Sequence, residues 1–156
     1  LSDDSEPQLS LQNIAWITRK TLAKAPISLS ISHYIDDSGL HHFDYEQKTL
    51  GRTVTQANVL DGKAVETNHP LFGDIAVTHS LTPVSSIDDS YLTEALEAGT
   101  TEVIDLGMVN ATDGWKSRQI LGIEIIDGER RHTRRTVVKK GDEVVKTRLV
   151  YDWATT

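Results

Sequence analysis

The chain has 156 residues, a net charge of −7 and no cysteine, which fits one domain and excludes disulfides, thiol chemistry and zinc sites built on cysteine. The acidic balance argues against nucleic acid, which wants a basic face. No apolar run reaches the length of a membrane span and no signal peptide is visible, so a cytoplasmic protein without membrane insertion is expected.

Leu1 to Pro7 is acidic and polar and reads as a mobile start. Ser5-Glu6-Pro7-Gln8 reads as a helix start, with serine as cap and proline in the first turn. Leu11, Ile14, Ala15, Thr18 and Leu22 then keep helical spacing until Pro26, as one helix or two short ones. Arg19, Lys20 and Lys24 lie on its outer side, and Trp16 lies off the main stripe, toward a second surface.

Next come two alternating runs, Ile27 to Ile35 and Leu40 to Gln47, joined by Asp36-Asp37-Ser38-Gly39. A three-residue loop, Asp37 to Gly39, pairs His33 with Phe43. Ile27, Leu29, Ile31 and His33 then share a face with His41, Phe43, Tyr45 and Gln47. A four-residue loop would set Leu29 and Ile31 beside Asp44 and Glu46, so the shorter loop is favoured. The resulting face is apolar at one end and polar-aromatic at the other, which suits the lining of a cavity. Alternation resumes over Arg52 to Leu60, and Asp61-Gly62 reads as a two-residue turn into a short strand, Lys63 to Thr67. Gly73 to Leu81 is a further strand. Ser86 to Ala98 changes period and reads as a helix, capped by Asp88 or Asp89 and closed by Gly99. The remainder is β-rich: Thr101 to Val109, then Trp115 to Ile126 and Glu129 to Lys139 about a tight Asp127-Gly128 turn, then Glu143 to Trp153. Roughly nine strands joined by short turns indicate an antiparallel meander that closes on itself.

Ile14-Ala15-Trp16-Ile17-Thr18-Arg19-Lys20 followed by Pro26 to Ile31 resembles the second lid helix of the fatty-acid-binding protein family entering its next strand. The Asp127-Gly128 hairpin and Thr147-Arg148-Leu149-Val150-Tyr151 resemble that family's last strands, so the likeness covers about half of the chain. The whole chain is also similar to a group of small fungal lipocalin-like (calycin) proteins, through Leu1 to Asp4, Leu71-Phe72-Gly73, Gly128 to Arg131 and Arg148 to Trp153. The resemblance implies a mainly β fold: an antiparallel lipocalin-like β-barrel over residues 1–156, with an N-terminal helical lid, one added short helix and an internal ligand cavity. Three departures accompany it. The opening Gly-x-Trp strand of both families does not appear. Arg148-x-x-Tyr151 replaces the fatty-acid binders' Arg-x-Tyr and sets the two on opposite faces. Ile123 stands near their other buried arginine. Fatty-acid carriage is therefore not the expected role.

His41 and His42, adjacent on a strand, point to opposite faces, and His69 lies in a loop before Pro70. His33 and His41 can approach each other without an evident third ligand, so no metal site is expected. His33, Tyr45 and Gln47 are either a hydrogen-bonded cluster at the wet end of the barrel or a reactive lining. Of the basic cluster Arg130, Arg131, Arg134 and Arg135, one pair must face outward. Leu121 and Ile123 share a face with His132 and Arg134 across a two-residue turn, which favours Arg134 as the inward cation. Glu124 then sits beside Arg131 as a surface pair of little energy. Trp115, Tyr151 and Trp153 read first as core or barrel-end plugs and second as faces on which a ligand ring could stack. Neither a nucleophile elbow nor a Gly-rich phosphate loop is present.

The leading expectation is a module binding a small hydrophobic or amphipathic molecule, with Trp16, His33, His41, Phe43, Tyr45, Gln47, Trp115, His132, Arg134 and Tyr151 as lining. The alternative is a cofactor-independent isomerase, cyclase or dehydratase acting on a natural-product intermediate, with His33, Tyr45 or Arg134 moving protons or steadying charge. A third is a protein partner held through the lid. No cofactor is implied, and nothing in the sequence bears on oligomeric state.

Overall fold

A computed structural model of the protein describes residues 1–154. Two short helices, α1 (Glu6–Leu11) and α2 (Trp16–Leu22), precede nine strands: β1 (Ser28–Ile35), β2 (His41–Thr49), β3 (Arg52–Val59), β4 (Asp61–His69), β5 (Gly73–Pro83), β6 (Glu102–Asn110), β7 (Trp115–Ile126), β8 (Glu129–Lys140) and β9 (Glu143–Tyr151). The helices are separate because Asn13 adopts φ 62°, a left-handed conformation that asparagine tolerates better than most residues. Ser5 makes no side-chain cap; Asp4 Oδ1 accepts from the Glu6 amide at 2.9 Å instead. Nor is the start of the chain loose along its length. The Asp3 amide donates to Arg148 O at 2.9 Å, and the Val150 amide donates to Ser2 Oγ at 2.9 Å. Residues 2 and 3 thus lie along the free edge of β9.

The strands form two antiparallel sheets, β1-β2-β3 and β4-β5-β6-β7-β8-β9. Among the described residues neither sheet closes on itself, so the expected barrel is corrected to an open pair of sheets. One local cause is plain in the register. Asp61-Gly62 does not turn β3 back onto β4. Gly62, at φ 73°, sits in an irregularity at the start of β4, where pairing with β5 shifts between Asp61 and Ala64. The chain therefore leaves one sheet at Leu60 and enters the other without a hairpin. Two of the turns that do close hairpins use left-handed pairs: Leu50-Gly51 at φ 51° and 71°, and Asp127-Gly128 at 52° and 79°.

The six-stranded sheet is buried on both faces. On the inner face Leu11 of α1 packs with Ile75, Trp115 and Val138, joined by Phe72, Val77, Met108 and Val145. On the outer face Ile87 and Leu92 pack with Val103, Ile120 and Val137. The outer cover is the segment 84–98, expected as a helix. It is instead two 3₁₀ turns (Val84–Ser86 and Ser90–Leu92), a further turn over residues 93–95 and an isolated bridge from Leu96 to Glu124. The Glu97 amide donates to Ile123 O at 2.8 Å, laying this strap flat on β7. Gly122 permits that approach, since a Cβ there would collide with the Leu96 side chain.

The strap also decides the fate of Glu124. It is 1% exposed and lies under the strap, bound by Arg135 Nε at 2.6 Å and by Thr133 Oγ1 at 3.1 Å, with Arg148 at 3.4 Å. The expected surface pair with Arg131 is thus corrected. The two residues are register partners, but Arg131 pairs with Glu129 and Asp152.

Candidate functional site

The β1–β2 hairpin has the register that its facing argument requires: His33 opposite Phe43, Ile31 opposite Tyr45, Leu29 opposite Gln47. Asp36 holds the loop by accepting from the Ser38 and Leu40 amides at 2.8 and 3.0 Å. Directly paired residues share a face, so Gln56 and Asn58 of β3, opposite Tyr45 and Phe43, join this surface. On the larger sheet the β7–β8 hairpin sets Ile123 opposite His132, Leu121 opposite Arg134 and Gln119 opposite Thr136. β9 then sets Tyr151 opposite His132.

These two surfaces meet at Arg134. Its guanidinium carbon lies 5.9 Å from the Tyr45 ring centroid and 5.7 Å from that of Tyr151. Each contact is a cation–π arrangement, at the outer edge of its range. Phe43, 2% exposed, backs Tyr45 with ring centroids 5.8 Å apart. The His132 ring lies 5.4 Å from that of Tyr151.

Arg134 has no carboxylate partner among the described residues, and its Nε is buried with no hydrogen-bond acceptor. Nε2 of His132, two residues away on the same face, is likewise buried and unpaired. Burial, and secondarily the Arg134 charge, pull the His132 imidazole down to about 4, so it is neutral at physiological pH. Burial raises the Tyr45 and Tyr151 phenols, an effect that Arg134 partly offsets. The site is therefore one fixed cation, one neutral imidazole and two protonated phenols. An unmet buried donor costs about 1–3 kcal/mol, which a bound acceptor would recover.

Other expected lining residues lie elsewhere. Trp16 is 62% exposed at the head of α2. His33 is exposed and pairs with His41, Nε2 to Nδ1 at 3.1 Å. Trp115 is 1% exposed within the α1 end of the core, a plug rather than a pocket wall. Gln47 is half-buried on the Tyr45 face. Among the described residues no three potential ligands gather into a metal-binding group, and no helix is long and apolar enough to cross a membrane.

A recess of about 540 Å³ lies away from this site. It lies on the outer face between the strap and the sheet, and its lining includes Ala64, Thr78, Asp89, Asp105, Arg118 and Lys139. Its buried carboxylate, Asp105, is already bound by Arg118 at 2.7 and 3.1 Å, and Asp89 by Lys146 at 3.2 Å. Unmet buried groups distinguish the Arg134 site from this recess, and we favour that site for chemistry on that ground.

No protein-family model and no solved structure matches the chain. Two relatives do. The chain is 38% identical over 158 residues to the probable pericyclase scpY of Mollisia scopiformis, covering 98% of this chain and 84% of that protein. It is 32% identical over 158 residues to the pericyclase pydY of an Acremonium species, covering 98% of this chain and 85% of that protein.

The chain belongs to this pericyclase family. The family membership supports the expected alternative, an enzyme of the isomerase or cyclase kind, over a pure binding module. Neither match speaks for a calycin or lipid-carrying family. In this pericyclase-family chain the reading from sequence passed over His79. It continues the Ile75, Val77 alternation onto the inner face of β5, and its burial lowers its basicity. The same alternation was the signal that could have found it. The Gln119 Nε2 to Thr136 Oγ1 bond, 3.0 Å, beside Arg134 was missed too. It is a satisfied pair that stiffens the wall.

Proposed function

We propose that this protein is a cofactor-free pericyclase: it folds one open-chain small molecule against the Arg134 wall and lets it rearrange to a ring. The observation that carries the reading is the unpaired guanidinium of Arg134, wedged between the Tyr45 and Tyr151 rings, in a chain similar to two named pericyclases.

A pericyclic closure redistributes electrons within a single molecule. No group leaves and no oxidant, reductant or proton donor enters the balance. Such a reaction asks two things of a protein. One is a reactive conformer held with its ends in contact, an entropic contribution. The other is a fixed dipole or charge where electron density gathers in the transition state. The rings of Tyr45 and Tyr151, the former backed by buried Phe43, supply a surface for the first. Arg134, held in place before substrate arrives, supplies the second by donating to a conjugated oxygen and drawing density from the π system. His132, neutral, orients without moving charge. His33, exposed on the hairpin, has no part in this scheme.

The test is conversion of the open-chain compound that accumulates when the producing organism lacks this protein. Purified protein should close it to a ring without added cofactor, and Arg134→Gln should lose that activity while its near-ultraviolet circular dichroism is unchanged. Full activity in Arg134→Gln would dismiss the site.

A further inference from the structure

The inner face of the small sheet continues past Tyr45 as an apolar strip. Ile31 is paired with Tyr45, and Leu29 and Val54 flank Gln47 one step further on. Ile31 is 39% exposed, Val54 42% and Ile27, beyond them, 41%. These are large apolar side chains on the same face as Phe43, which at the other end of the hairpin is itself almost fully buried. Their polar end is the Arg134 wall, where two buried nitrogens lack partners. From Ile31 to Ile27 the strip runs roughly 13 Å at the usual strand rise.

Resting on the pericyclase reading above, we infer the substrate class: a linear, largely hydrocarbon molecule with an acidic oxygen head, carboxylate or enolate. Its head sits on Arg134 and His132 Nε2, and its chain lies along Ile31, Leu29, Val54 and Ile27. The occupant follows from continuity. The unpaired cation of the larger sheet lies against Tyr45 of the smaller one, and the uncovered strip begins at Ile31, the register partner of Tyr45. An anionic head satisfies the guanidinium in a way that a neutral one does not, and a chain of several methylenes covers what is otherwise exposed apolar surface. An uncharged polycycle would leave Arg134 unmet, and a peptide strand laid along β1 would leave the Arg134 wall empty.

Direct titration of the full chain with decanoate, decan-1-ol and decanamide, each below its aggregation limit, tests the assignment. Decanoate should bind at least tenfold more tightly than the two neutral probes. That preference should vanish in Arg134→Gln and partly return in Arg134→Lys. Ile31→Asp, with its fold verified by unchanged near-ultraviolet circular dichroism, should weaken all three probes, whereas Ile17→Ser on α2 should leave them unchanged. Equal affinity for acid, alcohol and amide, or decanoate binding unchanged by Ile31→Asp, overturns the inference. The two readings fail separately. Charge-dependent binding without ring closure of the accumulated precursor removes the pericyclase reading and keeps this site. Ring closure with no acid preference does the reverse.

Discussion

At the scale of single residues, the contrast between Arg134 and Arg135 shows how burial and partners sort function from structure. They are neighbours on β8 with opposite faces. Arg135 is 5% exposed and fully engaged by Glu124, Glu94 and the Tyr91 carbonyl. Arg134 meets two aromatic rings and no acceptor. A pericyclic role asks Arg134 for charge and Tyr45 for its ring, not its hydroxyl. Tyr45→Phe should therefore keep kcat/KM within about threefold of the parent. Tyr45→Leu should lose roughly tenfold, and Arg134→Gln about a hundredfold, as for removal of one oriented donor. Steady-state rates on the accumulated precursor check all three. A Tyr45→Phe variant as poor as Arg134→Gln would mean that the phenol moves a proton.

His132 makes a second prediction at this scale. Burial and then Arg134 hold its pKa near 4 in the folded chain, against 6.5 for the free side chain. As pH falls from 6.5 to 4 the unfolded state takes up the proton first, so stability falls with it. The contribution is complete above about pH 6.5 and gone below about pH 4, and amounts to at most about 3 kcal/mol. His69 and His79 are lowered by burial and act in the same direction. Urea midpoints followed across that window should rise with pH. The rise should be smaller in His132→Gln, and an equal slope in both proteins would refute the assignment.

Among the elements, the strap 84–98 is the piece that sequence could not convey. Its period change was visible, but a helix and a flat cover share the same apolar positions, Ile87, Leu92 and Leu96, and only the packing distinguishes them. The cue was present elsewhere, in Gly122, a glycine inside a strand, which marks a close backbone or side-chain approach. The hidden cover is also why Glu124 reads from sequence as a surface residue. Alternation assigns it to the face away from Leu121, and nothing local says that this face is covered. The hairpins were legible by contrast, because facing and turn residues fix the register without reference to the rest of the chain. Two variants measure what the strap contributes. Glu124→Ala removes the buried partner of Arg135, leaving it only Glu94 and the Tyr91 carbonyl, and should cost up to about 3–5 kcal/mol in chemical denaturation. Gly122→Val should displace Leu96 and destabilise the fold by about 1–3 kcal/mol. If both variants unfold at the parent's midpoint, the strap is not docked as described.

For the molecule as a whole, the facing of Tyr45, His132 and Arg134 was readable because each belongs to a hairpin with a well-determined face, whereas Tyr151 reads first as a core or barrel-end plug. How the two sheets meet was not readable. Asp61-Gly62 has the composition of a tight turn, yet it serves as an irregularity at which the chain changes sheets. A closed barrel and an open pair of sheets differ in whether β3 pairs with β4 and in contacts between strands far apart in sequence, and the composition of Asp61-Gly62 encodes neither. Tyr45 and Arg134 are one such contact and can report on it. They lie on different sheets, so any coupling between them requires the sheets to face each other in solution. In a double-mutant cycle of Tyr45→Leu and Arg134→Gln, followed by denaturation without substrate, a cation–π contact at the outer edge of its range should give a coupling of about 0.5–1 kcal/mol. The same cycle on Arg134→Gln with Trp153→Leu should give none, since Trp153 is 64% exposed and donates to the Arg130 carbonyl at 2.6 Å. Additivity of Tyr45 and Arg134 would mean that the wall and the hairpin do not enclose a common space, and the substrate site would then have to be sought on the six-stranded sheet alone.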